Sequence, residues 1–212
     1  MYSSLETYFP DITKKQLAQF DKLVYLFKEW NTKINLISRK DTDHLYEKHI
    51  LHSLSIAKYF NFGIDTNIID IGTGGGFPGI PLAIMFPDAN FDLVDSIGKK
   101  ITAVKDISEE LGLTNVKAIK TRAETLPAKY DFVISRAVTA FPAFVNISSK
   151  LFRKNQNNTN SGIIYLKGGD FHDEIANFTK IKVYNISEIF KTEFFETKKI
   201  IFLPINFKET TY

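Results

Sequence analysis

The chain has 212 residues, 44% of them apolar, a net charge of +3 and no cysteine. That is enough chain for one α/β domain with a real core, and the composition excludes a disordered protein. The lack of thiols excludes a disulfide framework, thiolate chemistry and a zinc–cysteine centre, and the charge is too modest for nucleic-acid binding by bulk electrostatics alone.

The opening "MYSSLETYFP" has neither the basic nor the apolar region of a signal peptide, and no apolar run approaches the ~18 residues of a membrane span. A cytoplasmic protein with no membrane partner is expected. Residues 13–29 read as a helix. "TKKQ" is a capping-box pattern, and Leu17, Phe20, Val24 and Phe27 follow at helical spacing. Residues 31–40, "NTKINLISRK", read as a connector. A second helix over 42–60 would bury Tyr46, Ile50, Leu54 and Ala57 and turn Lys48, His52 and Ser55 outward. These helices form an N-terminal helical lobe, residues 1–63, ahead of a main domain over 64–212.

From residue 67 the period changes. "NIIDI" (67–71), "FDLVD" (91–95), "VKAIK" (116–120), "DFVIS" (131–135) and "GIIYL" (162–166) read as strands, with helices over about 79–86, 98–111 and 140–152 between them. Such alternation implies parallel strands with right-handed crossovers. "KNQNNTNSG" (154–162) reads as a surface loop, and "IKVYNISEIF" and "ETKKIIFLPI" as an antiparallel closing pair. The two ends of the chain are net basic and its middle net acidic. Scatter accounts for this, and so does an anionic partner facing both ends.

The stretch "IIDIGTGGGFPGIPL" (68–82) carries the chemistry. Residues 74–79 fit the dinucleotide pattern G-x-G-x-x-G, with Asp95 about twenty residues on. Residues 70–76, "DIGTGGG", also fit acid-x-G-x-G-x-G, which resembles the first motif of AdoMet-dependent methyltransferases. An acid after the second strand suits both, because either ligand offers ribose hydroxyls. AdoMet is favoured by Asp70 at the end of the first strand and by Pro78 and Pro81, which remove amides a pyrophosphate would need. The shortness of the chain and the antiparallel finish also favour it.

Further stretches make the resemblance specific. "WNTKINLISRK" (30–40), "KHILHSL" (48–54), "VDSIGKKITAV" (94–104), "TRAETL" (121–126), "ISRAV" (134–138) and "YLKGG" (165–169) join the glycine loop in one order. Together they resemble the bacterial 16S rRNA guanine-N7 methyltransferases, also called glucose-inhibited division protein B. The resemblance implies a class I AdoMet-dependent methyltransferase (Rossmann-like) fold: a mostly parallel seven-stranded sheet with an antiparallel closing strand. It also implies S-adenosyl-L-methionine as methyl donor, S-adenosyl-L-homocysteine as product, and a guanine near the decoding region of the small ribosomal subunit as acceptor. A monomer is expected.

Gly72 and Gly74 would let the backbone pass close to the cofactor, where a Cβ would collide. Phe77 would lie over the loop beside the cofactor, or else be a core phenylalanine. Asp95 would accept both ribose hydroxyls, or else cap the following helix. The resemblance sets Ala123 and Glu124 beside the adenine. It sets Arg136 on the cofactor, where a guanidinium can pair with the methionine carboxylate; the competing reading is a salt bridge to Asp131. His44, His49 and His52 lack the spacing and the carboxylate of a metal triad, so no metal is expected. The resemblance instead makes Lys48, His49 and Ser53 part of the active-site wall, with Asn35 and Lys167 as further substrate contacts. It usually has an acid where this chain has His52.

Guanine N7 carries an in-plane lone pair that is unprotonated at neutral pH. No catalytic base is therefore required, and positioning supplies the catalysis. N7 faces the deep, narrow major groove of A-form RNA, so the base must be splayed from a loop or flipped out. Two other readings stay open: a small-molecule methyltransferase with the helical lobe as lid, and a non-catalytic AdoMet-binding ribosome assembly factor.

Overall fold

Strand β1 (Asn67–Ile71) lies at the centre of the molecule, and its side chains alternate between two cores. Ile68 packs into one apolar cluster, Ile69 and Ile71 into the other. The same alternation runs through β4 (Phe132–Arg136), β5 (Gly162–Gly168) and β7 (Lys198–Pro204). There Ile134, Ile164 and Ile200 face one side, and Val133, Ile163 and Ile201 the other. A sheet covered on both faces needs near-continuous apolar runs, which is what these segments are. Each such buried side chain contributes roughly 1.5–3 kcal/mol.

The computed structural model describes residues 3–136, 138–153 and 161–205. Most of the loop expected over 154–162 lies outside them. With β2 (Asn90–Asp95), β3 (Val116–Lys120) and β6 (Lys182–Asn185), the sheet has the order β3-β2-β1-β4-β5-β7-β6. Strands β1 to β5 are parallel, and β7 is antiparallel to both its neighbours. The expected strands are therefore present, and the last one in sequence lies inside the sheet rather than at its edge.

The helices are α1 (Ser3–Tyr8), α2 (Lys14–Lys33), α3 (Arg39–Thr42), α4 (His52–Leu54), α5 (Gly79–Met85), α6 (Gly98–Glu110), α7 (Phe141–Ser148), α8 (His172–Ile175) and α9 (Glu193–Glu196). Helix α2 has the expected capping box, with the Gln16 amide donating to Thr13 Oγ1 and the Thr13 amide donating to Gln16 Oε1. It runs a turn beyond the expected end, because Ile34 still donates to the Trp30 carbonyl. Gln16 Nε2 also reaches the carbonyls of Ile84 and Met85, fastening α2 to the end of α5.

Two expectations fail in the segment that follows. Residues 31–40 contain the start of α3, capped by Ser38, and the turn before it is made by Asn31, whose Oδ1 accepts from the amides of Leu36 and Ile37. Residues 42–60 are not one two-faced helix. A π-helical stretch, Tyr46–Leu51, runs into α4 and then a 3-10 turn, Ile56–Lys58. His52 and Ser55, expected outside, are buried along with Ile50 and Leu54. The segment is enclosed on several sides, so the polar residues satisfy local carbonyls instead: Ser53 Oγ donates to His49 and Ser55 Oγ to His52.

Candidate functional site

Order β3-β2-β1-β4 reverses the direction of the crossovers between β1 and β4. Ligands of open α/β sheets sit outside the carboxyl ends of the strands at such a point. The glycine loop is located there. Gly72 has φ +68° and Gly74 φ +60°, in the left-handed region that disfavours a side chain. A Cβ on Gly72 would also lie 2.5 Å from the Val138 side chain. The amides of Gly72 and Thr73 both donate to the Val94 carbonyl, which ties the loop to the end of β2.

Two carboxylates shape this loop in different ways. Asp70 is fully buried, and its Oδ2 accepts from the Thr73 hydroxyl at 2.7 Å and the Gly79 amide at 2.9 Å. Its Oδ1 has no partner among the described residues. Burial raises its pKa to about 7, against those two bonds. Asp70 thus braces the loop from beneath and is not among the residues lining the cleft. Asp95 does line it. Its Oδ2 accepts from the Gly74 amide at 3.1 Å and its Oδ1 from the Ile97 amide at 2.8 Å. The N-cap of α6 is Ile97, without a side-chain cap, so Asp95 steers the chain into the helix without being the cap itself.

Gly72, Asp95, Ala123, Glu124 and Arg136 come together around one cleft of about 410 Å³. Ala123 is buried and Glu124 stands exposed on the rim. Thr121, Arg122 and Val138 also line it and were not anticipated as site residues. They sit in irregular segments after strands, where no periodic signal marks them. Phe77 takes the second of its two expected places, in the core. Its ring is 3% exposed and packs against Phe27 and His49, with centroids 5.0 and 5.3 Å apart, so it belongs to the core beneath Arg136.

A second cleft, of about 360 Å³, adjoins the first through Arg136. Lys48, His49 and Lys167 line it, as do His52, Asp41 and two residues absent from the sequence expectations, Phe194 and Lys198. Two of its lysines are held by carboxylates. Lys48 pairs with Asp41 at 3.0 Å and Lys167 with Glu174 at 2.5 Å. Ser38 and Lys48 hold the Asp41 carboxyl below its usual pKa. Two expected contacts lie elsewhere: Ser53 is wholly buried beneath His49, and Asn35 lines a shallow surface depression with Leu36, Ile37 and Ser38. Among the described residues no group of three His, Cys, Asp or Glu could hold a metal ion, and no helix is long and apolar enough to cross a membrane.

Arg136 links the two clefts. It donates to the Lys48 carbonyl at 3.2 Å and to His49 Nδ1 at 2.9 Å. The expected partner Asp131 is instead bonded by Arg153 at 3.0 Å. Among the described residues no carboxylate lies in salt-bridge contact with Arg136, and burial lowers its pKa to about 10. A guanidinium only donates, so His49 Nδ1 accepts and the ring carries its proton on Nε2. Burial first, then Arg136, lowers the His49 pKa to about 3. His52 is likewise held neutral, chiefly by burial. The site is therefore a partly buried cation with donors to spare, between a glycine-lined cleft and a cleft of neutral imidazoles, two paired lysines and Lys198.

Comparison with known proteins places this geometry in context. The family model for rRNA small subunit methyltransferase G matches residues 16–201. The ribosomal RNA small subunit methyltransferase G of Flavobacterium psychrophilum is 54% identical over 202 residues, spanning 95% of this chain and 97% of its own. That of Christiangramia forsetii is 50% identical over 205 residues, 96% and 97% of the two chains. Among solved structures, a SAM-dependent methyltransferase from Aquifex aeolicus is similar with a TM-score of 0.56 at 15% identity, covering 80% of this chain and all of its own. At that identity the likeness speaks for the fold.

Proposed function

Because the chain belongs to the rRNA small subunit methyltransferase G family, we propose that it methylates N7 of a guanine in 16S rRNA with AdoMet as donor. The observation that carries the reading is Arg136, which lines both clefts, so that groups bound in each would meet beside it.

The residues present fit the cofactor. Left-handed Gly72 gives close backbone approach at the cleft wall, and Gly74 in the same loop lies outside the lining and donates its amide to Asp95. Asp95 offers a carboxylate, and Arg136 lacks a carboxylate partner among the described residues. Asp95 would hold the ribose hydroxyls, Ala123 and Glu124 the adenine edge, and Arg136 the methionine carboxylate. AdoMet supplies an electrophilic methyl group on a sulfonium and leaves as S-adenosylhomocysteine. Lys48, His49 and Lys167 would form the wall that orients the acceptor, with Lys48 and Lys167 positioned by their own carboxylates. Neutral His49 and His52 suit a nucleophile that has no proton to give up. Alignment within such a pocket can supply roughly 7–11 kcal/mol. Residues 1–63 would serve as a helical lobe reading the folded RNA, and the enzyme would work as a cytoplasmic monomer.

The test is methyl transfer from labelled AdoMet to small subunits and to purified rRNA lacking the modification, followed by digestion to nucleosides. Label in 7-methylguanosine, falling steeply as salt rises, is the expected result. Salt-insensitive transfer to small molecules, or AdoMet binding without product, would replace this reading with one of the two alternatives.

A further inference from the structure

The connection between β6 and β7 and the start of β7 contribute Phe194 and Lys198 to the wall of the second cleft. The connection carries two adjacent phenylalanines with different fates. Phe195 is fully buried, its ring 5.0 Å from that of Phe190. Phe194 stays half-buried and lines both the second cleft and a neighbouring hollow of about 630 Å³. An aromatic ring held partly in water beside a site has unsatisfied apolar area that a flat ligand can cover.

The surroundings of that ring point to the ligand. Lys198 Nζ is 4.9 Å from its centroid and Lys48 Nζ 6.0 Å. The His52 ring meets it edge-on, with centroids 5.8 Å apart. Lys48 is paired with Asp41 and Lys167 with Glu174, whereas Lys198 has no ion pair among the described residues and bonds only the Thr197 hydroxyl, at 3.3 Å. Glu193 and Glu196 border the outer hollow but not the inner cleft. A half-buried aromatic ring with an ammonium over it that has no ion pair among the described residues is complementary to a base and its phosphate, the base taking the ring and the phosphate drawing off the ammonium.

Resting on the function proposed above, we propose that Phe194 is the stacking platform for the acceptor nucleotide. Its ring takes one face of the extruded base, and Lys198 takes an adjacent phosphate. The platform belongs to RNA recognition and leaves AdoMet binding to the other cleft.

The experiment compares wild type with F194A, F194L, F194Y and K198Q, using subunits that lack the modification. It reads KM for subunits, kcat, AdoMet affinity by calorimetry, and thermal melting. F194A should raise the subunit KM about ten- to a hundredfold with AdoMet affinity unchanged. F194Y should restore it to within about twofold, and F194L, apolar but without a π face, should not. K198Q should flatten the dependence of log KM on log salt by roughly one contact. A fully active F194L, or an F194A whose only defect is melting temperature, overturns the platform while the function stands. Wild-type protein that labels no rRNA overturns the function, and the platform with it.

Discussion

The guanidinium of Arg136, at the end of β4, donates to the ring nitrogen of His49, which lies in the π-helical stretch ahead of β1. One side chain thus joins the sheet edge to the helical segment and fixes the imidazole tautomer as it does so. Arg136→Lys keeps the charge but loses the planar fork. We expect AdoMet affinity to fall about tenfold, and Arg136→Ala to weaken it further, both measurable by calorimetry. A tenfold loss of activity with AdoMet affinity intact would move Arg136 to the RNA side.

Acid should act through the two buried histidines. Their folded pKa values lie below the ordinary 6.5, His49 at about 3. The unfolded chain therefore binds more protons below pH 6.5. The stability they contribute is complete above that value and declines as pH falls toward 3, by about 1.4 kcal/mol per pH unit for each proton. Asp70 works in the opposite sense between 3.8 and about 7, since the folded state holds its proton more tightly there. Denaturant titrations from pH 7 to 4 should show His49→Gln with a shallower loss than wild type. An unchanged slope would mean the imidazole is not held neutral.

Gly72→Ala places a methyl group at φ +68° and 2.5 Å from Val138. A destabilisation of roughly 1–3 kcal/mol is expected, together with weaker AdoMet binding. Gly63 offers a control, because a Cβ there meets nothing within 4 Å and no left-handed φ is required. Gly63→Ala should melt within a degree or two of wild type.

Thr13→Ala removes the hydroxyl that accepts from the Gln16 amide at the start of α2, and leaves the reciprocal bond from the Thr13 backbone amide to Gln16 Oε1. The expected cost is about 1 kcal/mol, seen as a lower denaturant midpoint with kcat unchanged. A matching loss of turnover would show that α2 transmits strain to the clefts through its Gln16 bonds to α5.

Regular elements were legible where a period was present. β1 and β3 match their expected bounds residue for residue, since each is a short run between polar punctuation. The segment around His52 was misread, because three helix types in a row, enclosed on several sides, leave no single exposed face for a pattern to mark. The glycine loop and Asp95 were legible from motif spacing, and Arg136 from its place at the carboxyl end of β4. The two readings of Phe77 could not be separated, since a buried ring one layer below a site has the same local sequence as one facing it. Phe194 and Lys198 reach the second cleft from a part of the chain more than 140 residues beyond Lys48, and nothing local announces such a meeting.

The insertion of β7 between β5 and β6 also fixes the order in which the molecule can be completed. Among the described residues strand β6 pairs with β7 alone, so during synthesis it waits for that partner until β7 is made. The glycine loop, Asp95 and Arg136 all precede that moment in the chain. Phe194 and Lys198 do not, because they lie in the connection and at the start of β7. A growing polypeptide therefore holds the parts of the first cleft before those of the second. The wall bearing Phe194 and Lys198 is set only when the sheet closes, so a partly made chain does not yet possess the second cleft.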